Sequence, residues 1–337
     1  MVPVFILGMY RSGTSWLLRS LCAHPAIRGV PELDLVRPTL RADATEARHI
    51  RPRSEWLHQF FADNRWARLD IVSLLDSRLR PIDNLEAGIT ELAEAMGRSF
   101  ARDPKHRARL YDIPLGFRSL TVGEAAELIR ALHAAPSQPA LVRTFVSMHA
   151  RYLDDPPFFV TKTPNGLIGL DIIRRAFATA KILVIVRDGR DVALSATHFR
   201  RLKSLDHLPY EELLQTWAQD AAAVAAAAQS GKLGVIRYED LSRDFIATFA
   251  RTLEWLGADA EPSLLRRIEA ATSFEAMTGR PRGQADDVNA RKGAAHDWID
   301  ALGENEKQRA WEIAGSALEQ FGYGRSDTLE VSYPGKI

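Results

Sequence analysis

The residues with the clearest chemical potential lie in the segment Gly8–Trp16, which reads GMYRSGTSW. It follows an apolar run and opens an apolar-periodic segment, so the order is strand, glycine-rich turn and helix N-terminus. Such a turn binds anions, because backbone N–H groups converge on it and the helix dipole adds partial positive charge. The G-x-x-x-x-G spacing is that of a P-loop, but Thr14 stands where a P-loop has its lysine. The cation inside the loop is Arg11, which favours an anion other than a Mg²⁺-bound triphosphate. The alternative is that the two glycines serve turn geometry alone.

A second motif follows the apolar run Ile182–Val186. Arg187 at the strand end and Ser195 on the following helix can converge on one phosphate. The arginine supplies a forked, charge-assisted contact and the serine a hydroxyl. The residues alone equally allow an ion pair between Arg187 and Asp191, with Ser195 an ordinary helix residue.

The elements that must position these motifs are predicted from hydrophobic periodicity. Buried parallel strands are predicted at Val4–Leu7, Phe158–Val160, Ile182–Val186 and Leu233–Ile236. Helical patterns separate or follow them at Leu167–Thr179, Val192–Phe199, Tyr210–Gln229 and Arg243–Leu256. This alternation predicts an α/β fold with a P-loop-type parallel β-sheet flanked by helices, and ligands at the carboxyl ends of its strands. We expect a single domain over residues 1–330, with residues 35–150 forming a largely helical insertion that flanks or caps the sheet.

Composition limits the remaining classes of function. The chain has 337 residues, of which 46% are hydrophobic, and a net charge of +1. It can therefore bury a large core, and nothing global indicates a nucleic acid or an anionic membrane as partner. The single cysteine, Cys22, excludes an internal disulfide and fits a reducing compartment. We find no signal peptide, no apolar stretch of the roughly 20 residues that span a bilayer, and no convincing metal-ligand cluster. These features predict a cytoplasmic protein without an integral membrane segment.

Four segments in one order resemble the sulfotransferases, which move a sulfuryl group from 3′-phosphoadenosine 5′-phosphosulfate (PAPS). The segment Gly8–Trp16 resembles the family's 5′-phosphosulfate loop. Arg187 and Ser195, with His198-Phe199 behind them, match the 3′-phosphate motif. The remaining two are Arg237–Leu241, which resembles the Tyr-Glu-Asp segment, and Arg291–Trp298, which resembles the Arg-Lys-Gly-x-x-Gly-Asp-Trp segment with His296 in place of the second glycine.

The resemblance implies the cofactor contacts. The 5′-phosphosulfate would be held by Arg11, Ser12, Gly13, Thr14 and Ser15. The 3′-phosphate would be held by Arg187, Ser195, Arg291, Lys292 and Gly293, with Tyr238 near the adenine. The product would be adenosine 3′,5′-bisphosphate (PAP), and no metal is expected, because side-chain cations can neutralise the sulfuryl group.

The resemblance also implies the catalytic residues. Arg11 stands where many members have a lysine, and Lys162 matches a lysine placed near the transferred group. Pro164 occupies the place of the histidine base of many cytosolic members. Glu32 instead matches the glutamate base of the tyrosylprotein branch. A carboxylate can accept the proton of the acceptor when its surroundings tune its pKa. The alternatives are a surface lysine at Lys162 and a solvent-facing cap at Glu32.

Three hypotheses for function follow. The first is a sulfotransferase acting by in-line transfer, with a carboxylate general base, on an acceptor hydroxyl of a glycan, a peptide tyrosine, a lipid or a small molecule. The insertion over residues 35–150 would then lie on the acceptor side. The second is a P-loop kinase or nucleotidase that uses ATP and Mg²⁺, against which the missing lysine counts. The third is a non-catalytic nucleotide-binding protein that keeps the fold.

Overall fold

The computed structural model describes residues 1–30, 127, 131, 135–163, 165–167, 169–202, 208–231, 233–283, 293–326 and 332–337. The strands within these ranges are β1 Val2–Met9, β2 Ile27–Val30, β3 Phe158–Thr163, β4 Asn165–Gly166, β5 Lys181–Val186 and β6 Gly234–Arg237. The helices are α1 Thr14–Cys22, α2 Gln138–Tyr152, α3 Leu170–Ala176, α4 Gly189–Leu202, α5 Tyr210–Ala228, α6 Tyr238–Arg243, α7 Phe245–Leu256, α8 Pro262–Thr272, α9 Phe274–Thr278, α10 Trp298–Ala301 and α11 Glu304–Gln320. No helix within these ranges combines the length and apolarity needed to cross a bilayer.

The chain divides into two units. The first contains residues 1–3, 25–163 and 168–180, and the second contains residues 4–24, 164–167 and 181–337. The expected single domain over residues 1–330 stays a prediction. Most of the expected helical insertion, residues 35–150, lies outside the described residues, although all but the last two residues of α2 fall within it.

The second unit is built on parallel strands. Strand β1 pairs with β5 from Val4↔Lys181 to Leu7↔Val184, and β5 pairs with β6 from Leu183↔Gly234 to Val186↔Arg237. The apolar residues of these strands are buried on both faces, as is usual for a parallel sheet covered by helices. The short strand β4 runs antiparallel to the end of β1. The carboxyl ends of β1, β5 and β6 lead directly into the candidate site.

The first unit contains a second parallel pair, between β2 and β3, from Ile27↔Phe158 to Val30↔Thr161. Strand β2 is missing from the sequence prediction because it is short and contains Arg28 and Gly29. Gly29 allows the close approach of the two strands, since a Cβ atom there would lie 2.1 Å from the carbonyl oxygen of Val160.

The four predicted strands and the α/β fold class are confirmed. Three predicted helices have other bounds in the structure, and the one predicted over Val192–Phe199 extends as α4 from Gly189 to Leu202. The helix expected from Leu167 begins at Leu170, because Gly169 before it has a φ of 92°. The helix expected over Arg243–Leu256 is interrupted at Asp244, whose side chain accepts the N–H of Ala247 at 3.0 Å and so begins α7.

Candidate nucleotide-binding site

The loop between β1 and α1 has the backbone of an anion-binding turn. Gly8 and Gly13 have φ values of 154° and 98°, and Arg11 adopts a φ of 74°. Both glycines are required by close contacts. A Cβ atom on Gly8 would lie 2.6 Å from the carbonyl oxygen of Ile185, and one on Gly13 would lie 2.7 Å from Cδ2 of Tyr238. The loop is therefore packed directly against the end of β5 and the start of α6.

The end of this loop and the first turn of α1 carry polar groups. Gly13 is the N-cap residue and has no side chain with which to cap the helix. Its carbonyl oxygen accepts the N–H groups of Trp16 and Leu17 at 3.0 and 3.1 Å. Ser12 and Thr14 are buried, whereas Ser15 is exposed on the first turn. A helix N-terminus without a side-chain cap favours an anion.

Arg11 connects this loop to α4. Its Nε donates a hydrogen bond to Oγ of Ser195 at 3.0 Å, and its guanidinium carbon lies 5.2 Å from the centre of the Phe199 ring. The structure thus brings together Arg11 and Ser195, which the resemblance to sulfotransferases assigned to two different anions of the same nucleotide.

Arg187 extends from the end of β5 into the same region. Its Nη1 donates to the carbonyl oxygen of Arg11 at 3.2 Å, and its Nη2 donates to Ala294 O at 2.8 Å and to Asp191 Oδ2 at 3.2 Å. The ion pair with Asp191 that the sequence left as an alternative is therefore present. The Nε atom of Arg187 is buried and has no hydrogen-bond acceptor among the residues that the structure describes.

An aromatic cluster lies beside the loop. Tyr238 is buried, its hydroxyl donates to Gly293 O at 2.7 Å, and its ring lies 4.7 Å from the guanidinium carbon of Arg187. Burial raises the pKa of its phenol. Trp16 packs edge-on against Tyr238 at 5.6 Å and beside Phe245 at 5.9 Å. Sequence reasoning gave Trp16 no role, although its place directly after the loop is a usable signal.

The segment Gly293–Trp298 packs against these residues. Gly293 has a φ of 63°, and His296 has a φ of 64°, a left-handed conformation that glycine adopts without strain. This conformation explains physically why the sulfotransferase pattern has a glycine at the position that His296 occupies in this chain. Asp191, a residue that sequence reasoning considered only for an ion pair, accepts the N–H groups of His296 and Trp298 at 2.8 and 2.9 Å. Arg291 and Lys292 lie outside the described residues.

Buried ionic side chains form hydrogen bonds next to Arg187 and Tyr238. Asp188 binds Arg190 through both carboxylate oxygens, and Arg237 binds Asp240 in the same way. Glu239 accepts the N–H of Asp188 at 3.0 Å and the hydroxyl proton of Tyr323 at 2.8 Å. Burial, reinforced by the charge of Asp188, raises the pKa of Glu239 to about 7. These contacts fix the residues on either side of Arg187 and Tyr238.

The predicted catalytic residues are described only in part. Lys162 is buried near the end of β3 in the first unit, between Thr161 and Thr163. The hydroxyls of these two threonines are buried and have no hydrogen-bond partner among the residues with a described structure. The interpretation of Lys162 as a surface lysine is therefore wrong. Glu32 lies outside the described residues. Among the residues that the structure does describe, no group of three or more His, Cys, Asp and Glu side chains is placed to hold a metal ion.

Comparison with known proteins identifies the family. The sequence model of the Sulfotransferase family matches residues 3–262. The sulfotransferase domain of the Synechococcus PCC 7002 olefin synthase superimposes with a TM-score of 0.50 at 18% identity, over 93% of this chain and 94% of that domain. Mouse sulfotransferase SULT7A1, solved in complex with PAP, gives a TM-score of 0.49 at 15% identity, over 94% and 84%. No curated protein matched the sequence. Since the family model covers most of the chain, the protein belongs to the sulfotransferase family.

Proposed function

We propose that the chain transfers a sulfuryl group from PAPS to an acceptor hydroxyl of a glycan, a peptide tyrosine, a lipid or a small molecule. The observation that carries the proposal is the convergence of Arg11, Ser195 and Arg187 where β1 and β5 end. Two arginines and a hydroxyl at the carboxyl edge of parallel strands suit a nucleotide with anionic groups at both its 5′ and 3′ positions.

The described residues fit this donor. The buried Nε–H of Arg187 has no acceptor within the described part of the chain, and a buried donor without an acceptor costs about 1–3 kcal/mol. A phosphate oxygen would supply that acceptor. Trp16 and Tyr238 offer aromatic surfaces beside the loop. We assign the 5′-phosphosulfate to the loop, and the 3′-phosphate to Arg187 and Ser195 with the segment Arg291–Gly293. The loop residues in this assignment are Arg11, Ser12, Gly13, Thr14 and Ser15.

PAPS supplies an activated sulfuryl group whose leaving group is a phosphate. The chain's own residues bind this donor, orient it and balance charge. Arg11 neutralises the anionic oxygens at the loop, and Lys162 is the second cation assigned to that task. Glu32 accepts the proton of the attacking hydroxyl, which makes the oxygen a better nucleophile. Orientation of two reactants in line and compensation of charge supply most of the catalysis in group transfers of this kind.

Calorimetric binding of PAP, compared with ATP and Mg²⁺, tests the donor assignment. Wild type is expected to bind PAP without a metal, and Arg187→Ala to bind it about 10- to 100-fold more weakly, since a hydrogen bond to a charged group contributes about 1.5–3 kcal/mol. Arg187→Lys keeps the charge but loses the forked geometry and should fall between them. Arg309→Ala removes an exposed arginine that pairs with Glu211 and Glu312 and serves as the control. If wild type prefers ATP with Mg²⁺ to PAP, and Arg187→Ala does not change nucleotide affinity, the kinase hypothesis is favoured instead.

A further inference from the structure

Asp191 joins two parts of the candidate site through a single buried carboxylate. Its Oδ2 accepts hydrogen bonds from Nη2 of Arg187 at 3.2 Å and from the N–H of His296 at 2.8 Å. Its Oδ1 accepts the N–H of Trp298 at 2.9 Å. The side chain of Asp191 is inaccessible to solvent. One carboxylate therefore contacts both the arginine at the end of β5 and the segment Gly293–Trp298.

The contact with Asp191 determines how Arg187 can face an anion. A guanidinium group has five N–H donors. Three are used within the protein, one from Nη1 to Arg11 O and two from Nη2 to Asp191 and Ala294 O. The remaining two, on Nε and Nη1, have no acceptor among the described residues. By engaging Nη2, Asp191 leaves the Nε–H and one Nη1–H for a ligand.

Asp191 also determines the path of the segment that continues from Lys292. His296 has a left-handed backbone, which is unfavourable for a residue with a side chain. The two amides that Asp191 binds flank Asp297 and include the first residue of α10. Without an acceptor at this position, two amides and one guanidinium would lose their partner together. The backbone of the segment thus depends on this carboxylate.

We propose that Asp191 is a positioning residue for recognition of the donor's 3′-phosphate. It holds Arg187 in one orientation and anchors the segment that follows Arg291 and Lys292. This inference rests on the proposed function, because it assumes a nucleotide with a 3′-phosphate. Asp191 acts through these neighbours and does not itself contact the phosphate, since two negative groups repel each other.

The test compares PAP with adenosine 5′-monophosphate (AMP), which lacks the 3′-phosphate. Asp191→Asn keeps the shape of the side chain but turns an amide NH₂ towards donors. We expect it to weaken PAP binding by about 10-fold or more, while AMP binding changes by less than about 2-fold. Glu261→Gln is the control, because it makes the same carboxylate-to-amide exchange at the N-cap of α8, where the side chain of Glu261 accepts the N–H of Leu264 at 2.9 Å. This control is expected to lower stability yet keep the preference for PAP over AMP.

Hydrogen exchange of the unliganded proteins provides a second measurement. The amides of His296 and Trp298 should exchange faster in Asp191→Asn than in wild type, and at the wild-type rate in Glu261→Gln. If Asp191→Asn does not fold, Asp191→Glu keeps the charge but displaces the carboxylate, and should also reduce the preference for PAP.

The outcomes distinguish the proposed function from the positioning role of Asp191. A wild-type protein that binds PAP no better than AMP contradicts the proposed function itself. A wild-type preference that persists in a folded Asp191→Asn or Asp191→Glu variant overturns the positioning role and leaves the proposed function standing.

Discussion

Replacement of Gly13 by alanine should both destabilise the fold and weaken nucleotide binding. Gly13 has a φ of 98°, and an added Cβ would lie 2.7 Å from Cδ2 of Tyr238, where ordinary contact needs 3.4–4 Å. The Tyr238 ring would have to move, although its hydroxyl bonds to Gly293 O at 2.7 Å and its face lies 4.7 Å from Arg187. The substitution thus acts on several proposed cofactor contacts at once.

The size of the effect follows from two costs. A left-handed conformation costs a residue with a Cβ atom about 1–2 kcal/mol, and overpacking against buried neighbours costs about 1–3 kcal/mol more. Gly257 separates these costs, because it has a φ of 82° but nothing within 4 Å of an added Cβ. Gly257→Ala should therefore show only the conformational cost.

Urea denaturation and PAP calorimetry on both variants provide the assay. We expect Gly13→Ala to lose more stability than Gly257→Ala and to bind PAP at least about 10-fold more weakly, while Gly257→Ala binds as wild type does. Equal stability losses with normal PAP binding in both variants would refute the contact between Gly13 and Tyr238 as the reason for the glycine.

Two further predictions concern carboxylates. The pKa of Glu239 is raised from 4.5 to about 7, so the folded state binds more protons than the unfolded state between these values; its contribution to stability is complete below pH 4.5 and is lost as the pH rises through 7. Glu239→Gln should remove this decline, which urea denaturation at pH 5 and pH 8 would measure, and an unchanged decline would contradict the assignment. Glu32→Gln should bind PAP as wild type does but lose sulfuryl transfer from radiolabelled PAPS to a panel of hydroxyl acceptors; full retention of transfer would exclude Glu32 as the base.

The sequence predicted the parts of the site whose residue types carry a local signal. The loop Gly8–Trp16 and the strand-end Arg187 were identifiable because glycine spacing and a cation after an apolar run are local patterns. The structure places Arg11 against Ser195 and the segment Gly293–Trp298 against Asp191, contacts between residues far apart in the chain. The sequence alone could not show that Asp191 serves backbone amides as well as Arg187, because that role depends on tertiary packing.

Strand β2 was not predicted from the sequence for a related reason. Its four residues include a glycine that sequence rules read as a turn signal, whereas the structure uses it to let two backbones approach. The start of α7 after Asp244 could have been predicted from the sequence, since aspartate is a favoured N-cap residue. Fold class thus follows from periodicity, while exact element boundaries depend on single caps and close contacts.

The wide sequence separation within the nucleotide site has a consequence for how the protein is made. The loop carrying Arg11 is synthesised long before its partner Ser195, and the segment that contacts Arg187 and Tyr238 comes later still. On the ribosome the loop that carries Arg11 therefore lacks these partners until the segment Gly293–Trp298 has been synthesised. A ligand that needs all of these groups cannot assist the early steps of folding. It can protect only the completed second unit, whose resistance to proteolysis should then rise with nucleotide concentration by mass action.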